Sequence, residues 1–81
     1  MPKLKSLSGG DVIHIFSLLG FAIVSQRGSH VKLRRSLRDG SRQTLTIPLH
    51  SELDPGTLKA IYRQALRYIP EQELRQYFYA V

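Results

Sequence analysis

Two short segments of this chain alternate strictly between polar and apolar residues. In His30–Arg34 and again in Thr44–Ile47, every second residue is valine, leucine or isoleucine. Such alternation is typical of a strand with one buried face and one face in water. Asp39-Gly40, between the two segments, is a strong signal for a hairpin turn. The sequence therefore predicts an antiparallel hairpin with a single apolar face, which another layer of structure must cover.

Helical patterns on both sides of the hairpin supply that layer. Apolar residues recur at helical spacing after Ser8, which forms a capping-box pattern with Asp11, and Gly20 provides a stop. Asp54-Pro55 has the pattern of an N-cap and first helical residue, and we expect this second helix to end at Pro70. Its apolar stripe consists of Leu58, Ile61, Tyr62, Ala65 and Ile69.

The remaining segments complete the predicted fold. Phe21–Arg27 is rich in β-forming residues and leads through Gly28-Ser29 into the hairpin, which adds a third strand. Glu71 and Glu73 suit the first turn of a short third helix. We expect its apolar side to dock on the core through Leu74, Tyr77, Phe78 and Val81. The order helix, three strands, helix, helix predicts one α+β domain over residues 1–81, with a three-stranded antiparallel sheet covered by helices on one face only.

The composition narrows the range of functions. The chain has 81 residues, no cysteine and a formal net charge of +6. One small domain excludes a large multi-substrate enzyme, and the lack of cysteine excludes thiol nucleophiles, redox motifs and cysteine-based zinc sites. No carboxylate accompanies a histidine at a metal-ligand spacing, and no phosphate-binding loop motif is present, so we expect neither a metal nor a cofactor. The positive charge favours a polyanionic partner.

The N-terminal region superficially resembles a secretory signal. Lys3 and Lys5 precede an apolar stretch that runs from residue 12 to residue 24. However, His14 and Ser17 lie inside this stretch, and no small-residue cleavage site follows it. The stretch is also shorter than the about 20 apolar residues that a membrane-spanning helix needs. We therefore expect a cytoplasmic protein with no membrane segment.

Basic residues cluster around the predicted hairpin. The cluster contains Arg27, Lys32, Arg34, Arg35, Arg38 and Arg42, and only Asp39 opposes it. A charge cluster of this kind is compatible with a solvated surface and equally with a nucleic-acid interface. Arginine outnumbers lysine here, and guanidinium groups bind phosphates through two parallel hydrogen bonds, which favours a phosphate-rich ligand.

The three histidines differ in their surroundings. His14 lies off the apolar stripe of the first helix, which indicates an ordinary surface position. His50 lies in the loop after the third strand, where an imidazole often satisfies backbone groups. His30 follows Gly28-Ser29, whose amides can form a small anion-binding nest, and the alternation places it on one face with two of the cations. From these residues alone, both a surface role and a role in proton transfer remain open for His30.

Four short motifs occur in order along the chain: Gly20-Phe21, Gly28-Ser29-His30, Ile47–His50, and Pro55–Leu58 leading into Ile61. Together they resemble the HicA family of small bacterial toxins. The resemblance implies a fold like that of double-stranded-RNA-binding domains, α-β-β-β-α, and an mRNA-cleaving ribonuclease that arrests translation and growth as part of a stress response. It also implies neutralisation by a HicB-type antitoxin, in a complex that can be oligomeric. In such proteins the histidine of Gly-Ser-His is catalytic, and here that position is His30.

Two functions from different classes follow as hypotheses. In the first, the protein is a metal-independent endoribonuclease in which His30 transfers a proton while Lys32, Arg34 and nearby backbone amides stabilise the charge of the reacting phosphate. His50 is then a candidate second acid–base group or a support for its loop. In the second, the protein is a non-catalytic module that grips RNA and occludes transcripts. Both hypotheses place RNA at Arg27, Gly28, Ser29, Lys32, Arg34 and Arg35.

Overall fold

The computed structural model of the protein describes residues 2–80. Within this range, helices and strands follow one another in the order β1 (Lys3–Leu4), α1 (Gly9–Leu18), β2 (Ala22–Arg27), β3 (His30–Ser36), β4 (Arg42–Pro48), α2 (Pro55–Ala65), α3 (Glu71–Phe78) and β5 (Tyr79–Ala80). The predicted helices and strands are all present. Their order from α1 to α2 is the α-β-β-β-α order of double-stranded-RNA-binding domains.

Local hydrogen bonds determine where α1 begins. The Ser8 hydroxyl accepts a hydrogen bond from the Asp11 amide at 3.0 Å, and the Asp11 carboxylate accepts one from the Ser8 amide at 2.9 Å. This capping box satisfies two amides that have no partner within the helix. The bond from the Ser8 backbone is also the main reason that the pKa of Asp11 is lowered. After the helix, Gly20 adopts a φ of +95° and turns the chain towards β2.

The three longer strands form one antiparallel sheet in the order β2-β3-β4. Val31 lies opposite Ile47, and Leu33 lies opposite Leu45. All four side chains are buried, whereas the residues between them are exposed or half-buried. The prediction of a hairpin with one apolar face is therefore confirmed. The helices cover this face, and the opposite face of the sheet is open.

The start of α2 agrees with its sequence signal. The Asp54 carboxylate accepts hydrogen bonds from the Thr57 amide at 3.0 Å and from the Thr57 hydroxyl at 2.7 Å. These two bonds lower the pKa of Asp54, and the bond from the hydroxyl contributes most. Pro55 follows as the first helical residue, where its missing N–H costs nothing because that amide has no helical partner.

The end of α2 differs from the prediction. The helix ends at Ala65 and does not continue to Pro70. Beyond it, the amides of Arg67 and Tyr68 donate to carbonyls three residues earlier, which tightens the chain into a turn. The predicted longer helix was wrong because these bonds to carbonyls three residues earlier replace the helical pattern before the chain reaches Pro70. Ile69 nevertheless reaches the core, where it is buried.

The aromatic end of the chain docks on its own domain, as expected. Leu74 and Phe78 of α3 are buried, and Tyr77 is half-buried against the core. The ring of Phe78 lies 5.9 Å from that of Phe16 and 5.3 Å from that of Tyr62, measured between centroids. Val81, which was expected to join this apolar side, lies outside the described residues.

A small second sheet was not predicted. Lys3 of β1 lies opposite Ala80 of β5, and Leu4 lies opposite Tyr79. The Lys5 amide extends the pairing by donating to the Phe78 carbonyl at 2.8 Å. Strands of two residues are too short to show a periodic pattern, so a sequence signal for this sheet was lacking. In the described part of the chain, no helix has the length and apolar character needed to cross a bilayer.

Candidate functional site

The open face of the sheet brings together four of the eight predicted site residues. Because directly opposed residues in an antiparallel sheet point to the same side, the strand register defines three rows across this face. The rows are Arg27–His30–Pro48, Ser25–Lys32–Thr46 and Ala22–Arg34–Thr44. An imidazole and three cationic side chains therefore share one surface that no helix covers.

A bulge in β2 brings Arg27 onto this face. The register of β2 against β3 shifts between Ile23 and Ser25, so that Val24 has no partner in β3. Since side chains alternate along a strand, one inserted residue reverses the face of every residue beyond it. Without the bulge, Ala22 and Arg27 would point to opposite faces of the sheet. With it, Arg27 lies opposite His30.

His30 lies in a cleft on this face. The cleft has a volume of about 400 Å³, and its lining comprises Ser25, Gln26, Arg27, His30, Lys32 and Thr46. None of these six residues is a carboxylate, so the cleft combines one imidazole with two cations and several neutral polar groups. Ser25 and Thr46 were not among the predicted site residues. The outward parity of Thr46 was visible in the sequence, whereas the position of Ser25 depends on the bulge.

The turn beside His30 presents free backbone amides. Arg27 pairs with His30, so Gly28 and Ser29 form a two-residue hairpin turn, in which Gly28 has a φ of +58°. The Gly28 carbonyl accepts a hydrogen bond from the Gln26 side chain at 3.1 Å, and the Ser29 carbonyl accepts one from the Leu49 amide. Within residues 2–80, the amides of Gly28 and Ser29 donate no such bond. They are available to an anion beside the cleft.

His50 supports its loop through its backbone. The His50 carbonyl accepts a hydrogen bond from the Gly9 amide at 2.9 Å, which holds the start of α1 against the loop after β4. Only glycine fits at position 9, because a Cβ there would overlap the Pro48 carbonyl and lie 2.8 Å from the Leu49 Cα. The imidazole of His50 is exposed and is not part of the lining of the His30 cleft.

Arg35 is separated from the other predicted RNA-contacting residues. It follows Arg34 in β3 and therefore points to the covered face. Its guanidinium donates to the Gln43 side chain at 2.8 Å and to the carbonyls of Leu19 at 2.9 Å and Tyr68 at 3.1 Å. It also lies 4.8 Å from the centroid of the Phe21 ring. These contacts occupy Arg35 within the fold, so Arg35 is not part of the RNA-contacting set proposed below.

Arg34 remains on the open face. It is half-buried, and its Nε is buried without a hydrogen-bond partner in the described part of the chain. Arg38 and Arg42 are exposed near the turn between β3 and β4, at the end of the hairpin away from His30. His14 is exposed on α1 and lies outside the cleft. Among residues 2–80, no three histidine or carboxylate side chains converge as a metal site would require.

A comparison with family models identifies the family of the chain. Residues 9–66 match the model described as the HicA toxin of bacterial toxin–antitoxin systems. The chain belongs to the HicA toxin family. The matched segment extends from the start of α1 to the turn after α2, so it contains the whole three-stranded sheet and every candidate site residue. Neither a search of curated proteins nor a search of solved structures found a match.

Membership of the HicA family gives the chain a biological role in outline. It is a toxin of a toxin–antitoxin system, and such a system pairs the toxin with an antitoxin. The α3 helix and the two-stranded sheet lie outside the matched segment. They are additions to the HicA segment that contribute Leu74 and Phe78 to the core.

Proposed function

We propose that this HicA toxin is a metal-independent endoribonuclease that cleaves mRNA, with His30 as the proton-transfer residue. The observation that carries the proposal is the position of His30 in a cleft with Arg27 and Lys32, beside the free amides of the Gly28-Ser29 turn. Imidazole exchanges protons near neutral pH, and cations with backbone amides stabilise phosphate charge. The cleft therefore combines the two capacities that RNA cleavage by internal attack requires.

In the proposed reaction, the 2′-oxygen of one ribose attacks the adjacent phosphorus, and the bond from phosphorus to the 5′-oxygen of the next nucleotide breaks. His30 accepts the proton of the 2′-hydroxyl or donates a proton to the leaving 5′-oxygen, and water exchanges the other proton. Arg27 and Lys32, which line the cleft with His30, offset the negative charge on the oxygens of the pentacoordinate phosphorane. Arg34, two residues further along β3, binds RNA beside the cleft. The products are a 2′,3′-cyclic phosphate and a 5′-hydroxyl end.

The donor set of the cleft supports a reaction without a metal ion. Magnesium and calcium bind mainly to carboxylate and other oxygen ligands, and no carboxylate lines the cleft around His30. Arg27 and Lys32 would instead repel a divalent cation. Proton transfer by the chain's own residues is therefore the mechanism that fits these side chains.

The experiment is a cleavage assay with the purified toxin and a short RNA in the presence of a chelator. We expect cleavage to persist, and mass spectrometry to find a cyclic phosphate on the upstream product. A matched RNA with a 2′-deoxyribose at the cleaved position should bind but stay intact, because the attacking hydroxyl is missing. Loss of cleavage in chelator, or cleavage of the deoxy substrate, would contradict the proposal. Binding without any cleavage would indicate a non-catalytic module that occludes transcripts.

The partner proposed for this toxin is a HicB-type antitoxin, and the proposed compartment is the cytoplasm, where mRNA is translated. Support comes from the toxin–antitoxin role of the HicA family. Co-expression of the toxin with the adjacent reading frame, followed by purification, tests this assignment. A HicB-type product should co-purify with the toxin and suppress cleavage in the assay above. Growth arrest that no neighbouring gene relieves would count against it.

A further inference from the structure

A second groove lies between the free edge of β4 and the exposed side of α2. It has a volume of about 510 Å³, and its polar lining comprises Thr46, Thr57, Arg63, Gln64 and Arg67. The groove was not predicted from the sequence, because it arises only where α2 packs beside β4. No carboxylate lines it.

The groove shares a lining residue with the cleft that contains His30. Thr46 lines both depressions and lies opposite Lys32 in the strand register. A chain that leaves the cleft past Lys32 and passes over Thr46 therefore reaches the groove beside α2. Pro48 also lines the groove and lies opposite His30, so the two depressions adjoin along the β4 edge.

The groove has a basic end with free cations. Arg63 and Arg67 are exposed, and none of the hydrogen bonds or ion pairs within residues 2–80 uses their guanidinium groups. The carboxylates nearest along the chain are already engaged, since Thr57 donates to Asp54 and the Tyr62 hydroxyl donates to Glu71 at 3.3 Å. Nine residues of helix separate Asp54 from Arg63, or about 13 Å along the axis. The arginine end of the groove therefore has a positive potential.

A role limited to stabilising α2 explains the arginine end of the groove less well. Arg63 lies in the last turn of α2, where a cation interacts favourably with the helix dipole. Arg67 lies beyond the helix end, and two cations four residues apart repel each other when both lie on one helical face. Neither effect accounts for a polar groove that leads from the arginines to the cleft.

We propose that the groove between β4 and α2 binds backbone phosphates of the RNA strand whose reacting bond lies at His30. The inference rests on the proposed ribonuclease function and extends it, because it predicts that single-stranded RNA crosses the β4 edge and that Arg63 and Arg67 neutralise phosphates of the flanking nucleotides. Exposed arginines suit this role because a guanidinium binds a phosphate through paired hydrogen bonds.

The test compares two double variants that each remove two positive charges. The groove variant is Arg63→Gln/Arg67→Gln, and the matched control is Lys3→Gln/Lys59→Gln, which changes exposed residues outside both depressions. Binding of 2′-O-methyl RNA, which lacks the attacking hydroxyl, is measured by fluorescence anisotropy for a 4-mer and a 12-mer over a range of salt concentrations. Circular dichroism confirms that each variant is folded.

For the groove variant, we expect the affinity gained between the 4-mer and the 12-mer to shrink about tenfold relative to the parent. The slope of log affinity against log salt for the 12-mer should fall by about 1.4, because each lost phosphate contact removes about 0.7. The control should change the slope by less than half as much. The proposal would be overturned if the salt slope fell equally in the two variants. It would also be overturned if the groove variant bound the 12-mer more tightly than the 4-mer by the same factor as the parent.

Parallel cleavage of ordinary RNA by the parent separates this proposal from the ribonuclease function. If the parent cleaves RNA and the groove variant binds the 12-mer as tightly as the parent, only the proposal of a phosphate-binding groove is overturned. A parent that binds RNA through the groove without cleaving it overturns the ribonuclease and leaves the phosphate site intact. A parent with no affinity for the 12-mer overturns both.

Discussion

The two faces of the sheet are built from alternate residues of the same strands, but they have opposite properties. On the covered face, Leu33, Leu45 and Ile47 are at most 1% exposed. On the open face, His30 and Lys32 are exposed and line the cleft. One step along β3 therefore changes a residue from a core position to a ligand-facing position. In this small domain, alternate residues of the same strand therefore serve stability and the proposed chemistry.

Adjacent arginines show the same difference within one residue type. Arg34 lies on the open face, with an Nε that has no partner in the described chain. Arg35 points to the covered face and links β3 to the ends of α1 and α2 through the carbonyls of Leu19 and Tyr68. Two equal charges thus serve different purposes, because the fold supplies three acceptors to the Arg35 guanidinium and, within residues 2–80, none to the Arg34 Nε.

The largest expected effect is that of His30→Ala on RNA cleavage. Removal of a general acid–base residue typically lowers the rate about 10² to 10⁴-fold. The imidazole is exposed, so its truncation opens no core cavity, and the free energy of unfolding should change by less than about 1 kcal/mol. Single-turnover cleavage rates and urea denaturation measure the two quantities on one preparation.

Two histidine variants serve as controls for this measurement. His14→Ala should cleave RNA and arrest growth like the parent, because His14 lies outside the cleft. His50→Ala should retain most activity, because its backbone carbonyl, which holds the Gly9 amide, is unchanged. A folded His30→Ala protein that cleaves RNA within about tenfold of the parent would remove His30 from the mechanism.

The next effect belongs to the covered face. Leu45→Ala should lower the free energy of unfolding by about 2–5 kcal/mol, since Leu45 is fully buried and its truncation leaves a cavity between the sheet and the helices. The adjacent exposed change Thr46→Ala should cost less than about 1 kcal/mol. Urea midpoints measure both variants. Similar decreases in the free energy of unfolding for the two variants would show that the two faces do not differ in their contribution to stability.

The two adjacent arginines give a smaller and more selective test. Arg35→Gln should lower the free energy of unfolding by about 1–3 kcal/mol, because the carbonyls of Leu19 and Tyr68 lose their donor. It should leave the salt dependence of RNA binding unchanged. Arg34→Gln should reduce the salt slope by about 0.7 and have little effect on stability. An equal reduction of the slope by both variants would show that Arg35 also contacts RNA.

The smallest effect concerns the cap of the helix that covers the sheet. Hydrogen bonds from Thr57 hold the pKa of Asp54 below its ordinary value of 3.8. A group whose pKa is lower in the folded state stabilises the fold above its unfolded pKa, and this contribution is lost as the pH falls through the folded pKa. The melting temperature of the parent should therefore fall in acid, and part of this fall should be absent in Asp54→Asn.

Melting curves recorded from neutral pH into the acid range give this comparison directly, with RNA affinity at neutral pH as the control. Because Asp54 lies at the start of α2 and outside the His30 cleft, its substitution should leave that affinity within the error of the measurement. If the melting temperature of Asp54→Asn falls in acid as much as that of the parent, the Asp54 cap does not contribute to the pH dependence of stability.

The sequence alone was sufficient where short-range interactions decide the structure. The capping box of Ser8 and Asp11 and the cap of α2 at Asp54 join residues three positions apart. The alternation in β3 likewise needs no information beyond the strand, so the outward position of His30 could be read directly from its neighbours. Hydrogen bonds and periodicity within one turn or one strand act in the same way in any surrounding fold.

Only the tertiary structure decided which distant residues meet. The bulge at Val24 assigns Arg27 to the open face, and the early end of α2 at Ala65 presents the Tyr68 carbonyl to Arg35, 33 residues away. The groove beside Thr46 exists because α2 packs along the β4 edge. Such contacts depend on how whole elements pack, and a residue pattern within one element contains no information about a partner in another.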